Sequence, residues 1–162
     1  MKRSFLVALV VLCFIATEQV YSQNMTNDKL ERIVRSMADS IQGKSGNWQF
    51  LVKDRMFICV TDAQNNRMRI MSPIVEQKTL AYSDMLKVME ANFHTALDVK
   101  YAIAHDLLWS VFIHPLRELT SEQVVDAIQQ VYVAAMTYGS SYSSSSLSFP
   151  DRRKEKQTQK KI

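Results

Sequence analysis

Hydrophobic residues recur at helical spacing in three segments of the chain, which predicts three amphipathic helices. The first helix is expected over residues 26–42, with Thr26 as its N-cap and Gly43 at its end. The second is expected to begin after Ser83, and the third after Thr120 in a capping box with Gln123. The apolar stripes expected to be buried are Leu30, Ile33, Val34, Met37 and Ile41; Leu86, Met89 and Phe93; and Val124, Ile128, Val131, Ala135 and Met136.

Between these helices, five short segments have the patterns of β-strands. Residues 48–52 and 67–75 alternate apolar and polar side chains, and residues 56–61 (MFICVT) are apolar at every position but the last. Residues 99–105 and 107–113 form a hairpin around His105 and Asp106. Strands joined by short turns are antiparallel. The pattern therefore predicts an α+β domain with an antiparallel sheet and the element order αβββαββα.

The N-terminus has the three-part layout of a secretory signal peptide. A basic start (MKR) precedes 12 unbroken apolar residues (FLVALVVLCFIA), which is shorter than the ~20 that a membrane-spanning helix needs. Val20 and Ser22 are small residues at −3 and −1 of a cleavage site before Gln23. We therefore predict that residues 1–22 are a cleaved signal peptide and that the protein is exported, to the periplasm or beyond the cell.

The net charge of +4 is unevenly distributed along the chain. Residues 23–149 contain 12 basic and 13 acidic side chains, whereas residues 150–162 contain six basic and two acidic side chains. A neutral fold does not favour nucleic-acid binding. We predict one folded domain over residues 23–141 and a disordered Ser-rich and basic tail over 142–162. The tail either only increases solubility or makes weak contact with an anionic envelope surface.

No catalytic or metal-binding motif is present in the sequence. Three glycines are too few for a phosphate-binding or dinucleotide-binding loop, and Cys59, the one cysteine after the signal, has only apolar neighbours. His105 and His114 lie at opposite ends of one strand, roughly 30 Å apart, too far to share a metal. We therefore expect no cofactor and no enzymatic activity. The alternative is an unrecognised envelope enzyme that uses His94, His105 or Asp106.

Two segments, MLKVMEANF (85–93) and LLWSVFIHPLRELTSEQVVDAIQQVYVAA (107–135), resemble the type III secretion chaperone-like superfamily, which includes Tir-chaperone and YbjN-like proteins. The resemblance covers about residues 26–139. YbjN-like proteins are the better comparison, because type III chaperones are typically cytoplasmic and acidic, whereas this chain has an export signal and a neutral fold. The resemblance implies a chaperone-like module that binds a protein partner or itself as a homodimer, and it supplies no catalytic residue.

Two of the predicted strands, residues 56–61 and 107–113, are apolar on both sides. If helices cover only one face of the sheet, the other face is an exposed apolar patch of the kind that marks an interface. The alternative is a sheet covered on both faces within one chain. In the first case, the partner or dimer face is predicted to consist of Met56, Ile58, Val60, Ala102, Ala104, Leu108 and Phe112.

Overall fold

The fold is an α+β arrangement of a six-stranded antiparallel sheet and three α-helices over residues 24–145, the part of the chain that this computed structural model describes. The predicted signal peptide, its cleavage site at Ser22 and Gln23, and residues 146–162 lie outside the described residues. The elements are α1 (Asn27–Met37), β1 (Ser40–Lys44), β2 (Asn47–Val52), β3 (Arg55–Asp62), β4 (Arg67–Glu76), α2 (Tyr82–His94), β5 (Val99–Ala104), β6 (Leu107–His114) and α3 (Ser121–Met136).

The predicted fold class is confirmed, and the predicted helices and strands follow one another in the expected order. The strand order across the sheet is β1-β2-β3-β4-β6-β5, so the C-terminal hairpin joins the sheet through β6 and leaves β5 at an edge. A short 3₁₀ segment, Gln77–Thr79, links β4 to α2. Within the described part of the chain, no helix is both long enough and apolar enough to cross a membrane.

The first helix is shorter than its apolar stripe predicts. Thr26 caps its start, where the Lys29 N–H donates to Thr26 Oγ1, but the helix ends at Met37 instead of reaching Gly43. Residues Ser40–Lys44 form the additional strand β1, which pairs with β2. Ile41 points towards the core from a strand as it would from a helix. Ile41 therefore fits the helical spacing of the apolar residues of α1 only by coincidence, because it belongs to β1.

The core lies between one face of the sheet and helices α1 and α3. Val52, Phe57, Cys59 and Ile70 point to this face from successive strands, and all four belong to the buried apolar cluster. The predicted capping box at the start of α3 is confirmed, because the Gln123 N–H donates to Thr120 Oγ1 and the Thr120 N–H donates to Gln123 Oε1. Two hydroxyls of the C-terminal hairpin bond to α3: Ser110 Oγ donates to Val131 O and Tyr101 Oη donates to Ala134 O.

The folded part of the chain extends beyond the predicted boundary at residue 141. Tyr142 and Ser144 are buried, although both fall in the segment predicted to be disordered. Thr95 bonds to this segment twice: its hydroxyl donates to Tyr142 O and its carbonyl accepts from the Ser144 N–H. Residues 142–145 therefore belong to the domain, because they pack over the end of α2.

Candidate functional site

One face of the sheet carries no helix of residues 24–145. On the strands, every second side chain points to this face, which we call the open face. Ile113 on β6 is 57% exposed, and Val60 on β3 is also exposed to solvent. Arg69 lies directly between these two residues in the register, on β4. The apolar members of the open face are Leu51, Met56, Ile58, Val60, Met71, Pro73, Ala102, Ala104, Leu107, Trp109, Val111 and Ile113, of which Trp109 and Val111 are buried.

Five of the seven residues predicted to form the partner face lie on the open face. Met56, Ile58 and Val60 point outwards from β3, opposite in direction to the buried Phe57 and Cys59. Ala102 and Ala104 point outwards from β5 and are exposed. These five side chains therefore share one surface, as their alternation predicted.

Leu108 and Phe112 do not belong to the open face, which corrects the predicted set. Both are buried in the core, against the helices. The hairpin turn explains the error: it pairs Ala104 with Leu107 and Ala102 with Trp109. A register shifted by one residue exchanges the two faces of a strand. Trp109, Val111 and Ile113 therefore take the places on the open face that were assigned to Leu108 and Phe112.

A second apolar surface lies on α2, whose predicted buried stripe faces solvent. Phe93 is 83% exposed and Met89 is 69% exposed, whereas Val88 and Ala91 on the other side of the helix are buried. The predicted cap at Ser83 is also wrong, because the helix already begins at Tyr82. We call the exposed residues the α2 stripe. They are Tyr82, Leu86, Met89 and Phe93.

The α2 stripe has the spacing of a coiled-coil seam. Its members are separated by four, three and four residues, which is the repeat that places apolar side chains along one line towards a partner helix. This repeat was visible in the sequence as an apolar stripe. The sequence did not show whether this stripe faces the core or the solvent, because α2 also carries the apolar residues Met85, Val88 and Ala91 on its other side.

The thiol of Cys59 is not a reactive group. Its side chain is fully buried on the core side of β3. Burial raises the pKa of the Cys59 thiol to about 12. The neutral thiol therefore packs as a small hydrophobic side chain, as its apolar neighbours in the sequence predicted.

The three side chains of the alternative enzymatic hypothesis are only partly brought together. His105 and Asp106 form the two-residue turn between β5 and β6, both with positive φ, as the tight hairpin turn requires. They line an open cleft of about 920 Å³ with Glu76 and Lys78. His94 does not line this cleft and instead contacts the Phe93 ring at the end of α2.

The titratable side chains of the described range do not form a metal centre. No group of three or more His, Cys, Asp and Glu side chains in residues 24–145 is arranged to hold a metal ion. His114 Nδ1 lies 2.8 Å from the Pro115 carbonyl oxygen, and Asp106 accepts a backbone bond from Gln77 through its own carbonyl. These contacts organise turns and strand ends.

Comparison with solved structures identifies the fold. A chain of the HopA1–SchA chaperone–effector complex matches with a TM-score of 0.53 and 9% identity, over 67% of this chain and 88% of that one. A chain of the ExsC–ExsE complex matches with a TM-score of 0.53 and 13% identity, over 67% of this chain and 90% of that one. The Yersinia pestis type III secretion chaperone SycH was solved with a stable fragment of YscM2. It matches with a TM-score of 0.53 and 10% identity, over 70% of this chain and 99% of that one.

These similarities show that the chain has the fold of type III secretion chaperones. No protein-family model matches the sequence, and no curated protein matches it. The similarity spans nearly the whole length of the matched chains, so the shared part is a complete domain.

Proposed function

We propose that this protein is an exported, non-enzymatic, chaperone-like module that self-associates through the α2 stripe and holds a protein partner on the open face of its sheet. The observation that carries the proposal is the presence of two separate surfaces with exposed large apolar side chains: Leu51, Met56, Val60 and Ile113 on the open face, and the four residues of the α2 stripe. The fold supports it, because the similar solved structures are complexes of two proteins.

The open face is suited to a protein partner because its apolar side chains are contiguous across the strands. Ile58 is paired with Met71, and Met71 with Val111, so three neighbouring strands present apolar groups in one row. Trp109 lies in the next row, opposite Ala102. Val111 and Trp109 are themselves buried and form the floor of this surface, and a partner would meet the exposed Met56, Val60 and Ile113 around them. Exposed apolar patches mark interaction sites on soluble proteins.

The α2 stripe is suited to a second copy of the chain. In an antiparallel pair of α2 helices, Tyr82 would meet Phe93 of the second copy and Leu86 would meet its Met89. One surface then contacts itself about a two-fold axis, which is the commonest arrangement of homodimers. Tyr82 and Phe93 are separated by about 16 Å along the helix, enough for four layers of contacts.

Export is proposed from the N-terminal sequence. The basic start, the apolar run and the small residues before Gln23 lie outside the described residues and support a cleaved signal peptide. The first described element, α1, begins only four residues after Gln23, at Asn27. Removal of residues 1–22 would therefore leave every helix and strand of the domain intact.

Sedimentation equilibrium of the mature chain, beginning at Gln23, tests self-association. We expect a dimer for the wild type and a monomer for Met89→Glu, because a carboxylate at the centre of the stripe would lose its hydration on pairing. Val125→Glu, at a 42% exposed position on α3, is the matched control and should remain dimeric. A monomeric wild type at all concentrations, or a dimer unaffected by Met89→Glu, contradicts self-association through α2.

A further inference from the structure

One end of the open face carries a group of basic side chains. Arg67 and Arg69 point outwards from β4, and Lys44 points outwards from the end of β1. Lys44 is opposite Asn47, which is opposite Val60, which in turn is opposite Arg69. The basic residues therefore belong to the same end of the sheet, beside the exposed Val60 and Ile113. We call Lys44, Arg67 and Arg69 the cationic end.

The charges of the cationic end are only slightly compensated. No hydrogen bond or ion pair joins Arg69 or Lys44 to another side chain of residues 24–145. Asp62 lies opposite Arg67, but its carboxylate already accepts from the backbone N–H and the side-chain amide of Asn65, at 3.0 and 2.7 Å. The three positive charges of the cationic end therefore face only one negative charge, on Asp62, which is already hydrogen-bonded to Asn65.

The other end of the open face is mainly apolar, because its one acidic side chain, Glu76 opposite Leu107, is already paired with Lys78. Leu51 and Met56 are opposite each other there, and Pro73 is opposite Trp109. Val60, the neighbour of Arg69, lies four positions after Met56 on β3, which is about 13 Å along a strand. The face therefore offers apolar contacts at one end and unpaired positive charge at the other.

This distribution of charge does not fit a second copy of the same face. If the two-fold axis lay along the strands, the cationic ends would lie against each other, and like charges at an interface are unfavourable. If it lay across the strands, each cationic end would lie against the mainly apolar end of the other copy, whose Glu76 is already paired with Lys78, and would lose its hydration. The occupant of the open face is therefore a different molecule.

We infer that the open face binds an acidic amphipathic protein segment, whose apolar side chains cover the exposed Leu51 and Met56 and whose Asp or Glu side chains pair with Arg69 and its basic neighbours. This inference rests on the proposed function and specifies the chemistry of the partner. The planar guanidinium of Arg69 suits a carboxylate, since it can donate two parallel hydrogen bonds. Val60 and Ile113 on either side shield that pair from water.

Selection from a library of random displayed peptides tests the inference with the mature chain as bait. The wild type should enrich peptides that combine apolar residues with Asp and Glu, and should deplete Lys and Arg. Arg69→Glu should abolish this acidic bias and weaken binding of the selected peptides about tenfold, because the reversed charge repels them. Arg32→Glu, an exposed position on α1 with the same change of charge, should retain both the bias and the affinity.

Three outcomes overturn the inference: failure to enrich any peptide, enrichment without acidic bias, or an acidic bias that Arg69→Glu leaves unchanged. A flotation experiment with phosphatidylglycerol vesicles tests the alternative that the open face binds an anionic lipid surface. Arg69-dependent binding to these vesicles, without acidic bias among the peptides, would assign the face to a lipid surface. None of these outcomes affects the dimer measured by sedimentation, so failure of this inference is distinguishable from failure of self-association.

Discussion

The side-chain amide of Asn92 forms two hydrogen bonds with the backbone of Tyr101. Asn92 Nδ2 donates to Tyr101 O at 3.1 Å, and Asn92 Oδ1 accepts from the Tyr101 N–H at 2.7 Å. Because β5 is an edge strand, these are the backbone groups that an added strand would use. Asn92 thus fixes α2 to the sheet and blocks the middle of an exposed edge.

Replacement of Asn92 by alanine should destabilise the domain by about 1–3 kcal/mol, because it leaves two partly buried backbone groups without partners. Asn24→Ala is the matched control, since the side chain of this exposed residue makes no hydrogen bond with another residue of the described range. Urea denaturation of both variants measures the difference. Equal midpoints for Asn92→Ala and Asn24→Ala would show that the pair with Tyr101 contributes nothing to stability.

Shortening the chain should reveal where the domain ends. A chain that ends at Ser141 lacks the buried Tyr142 and both hydrogen bonds to Thr95, whereas a chain that ends at Ser145 keeps them. We expect the shorter chain to be less stable by about 2–4 kcal/mol, from lost aromatic burial and lost hydrogen bonds. Thermal melting compares the two directly, and identical melting temperatures would restore the boundary at residue 141.

Alkaline pH should destabilise the fold through Tyr101. Burial raises the pKa of Tyr101 to about 12, against about 10 for a solvated phenol. The fold therefore favours the neutral phenol, so this contribution is fully present below about pH 10 and is lost as pH rises through about 12. Denaturant midpoints at several alkaline pH values should fall less steeply for Tyr101→Phe than for the wild type.

The same substitution also removes the hydrogen bond from Tyr101 Oη to Ala134 O, which should cost about 1 kcal/mol at neutral pH. Tyr82→Phe serves as the control, because Tyr82 is 71% exposed. An alkaline loss of stability that is the same in the wild type and in Tyr101→Phe would show that Tyr101 does not carry the effect.

The sequence was sufficient for those elements whose local signals and tertiary contacts agree. The capping box of Thr120 and the alternation of Trp48, Phe50 and Val52 both predicted what the structure shows, since each pattern fits one type of element only. Ser40–Lys44 has no such pattern. It becomes a strand because it pairs with β2, and the Asp39 carboxylate accepts from the Lys53 N–H beside it.

The composition of the binding surfaces was less predictable, because it depends on register and on which helix face is buried. The two-residue turn at His105 and Asp106 determines the pairing of Ala102 with Trp109, and with it the face of every residue in the hairpin. Arg69 was not predicted as a site residue at all. A charged residue in an alternating strand normally indicates a solvated face, and only the register brings it between Val60 and Ile113.

Site-specific photocrosslinking in cells that produce the protein tests the central claim, that the open face holds a protein partner. Benzoylphenylalanine would replace Ile113 on the open face in one variant and Val125 on α3 in the control, both of which are exposed positions. The account predicts a discrete adduct with a second, different protein from position 113 and none from position 125. No adduct from position 113, or the same adducts from both positions, would contradict it.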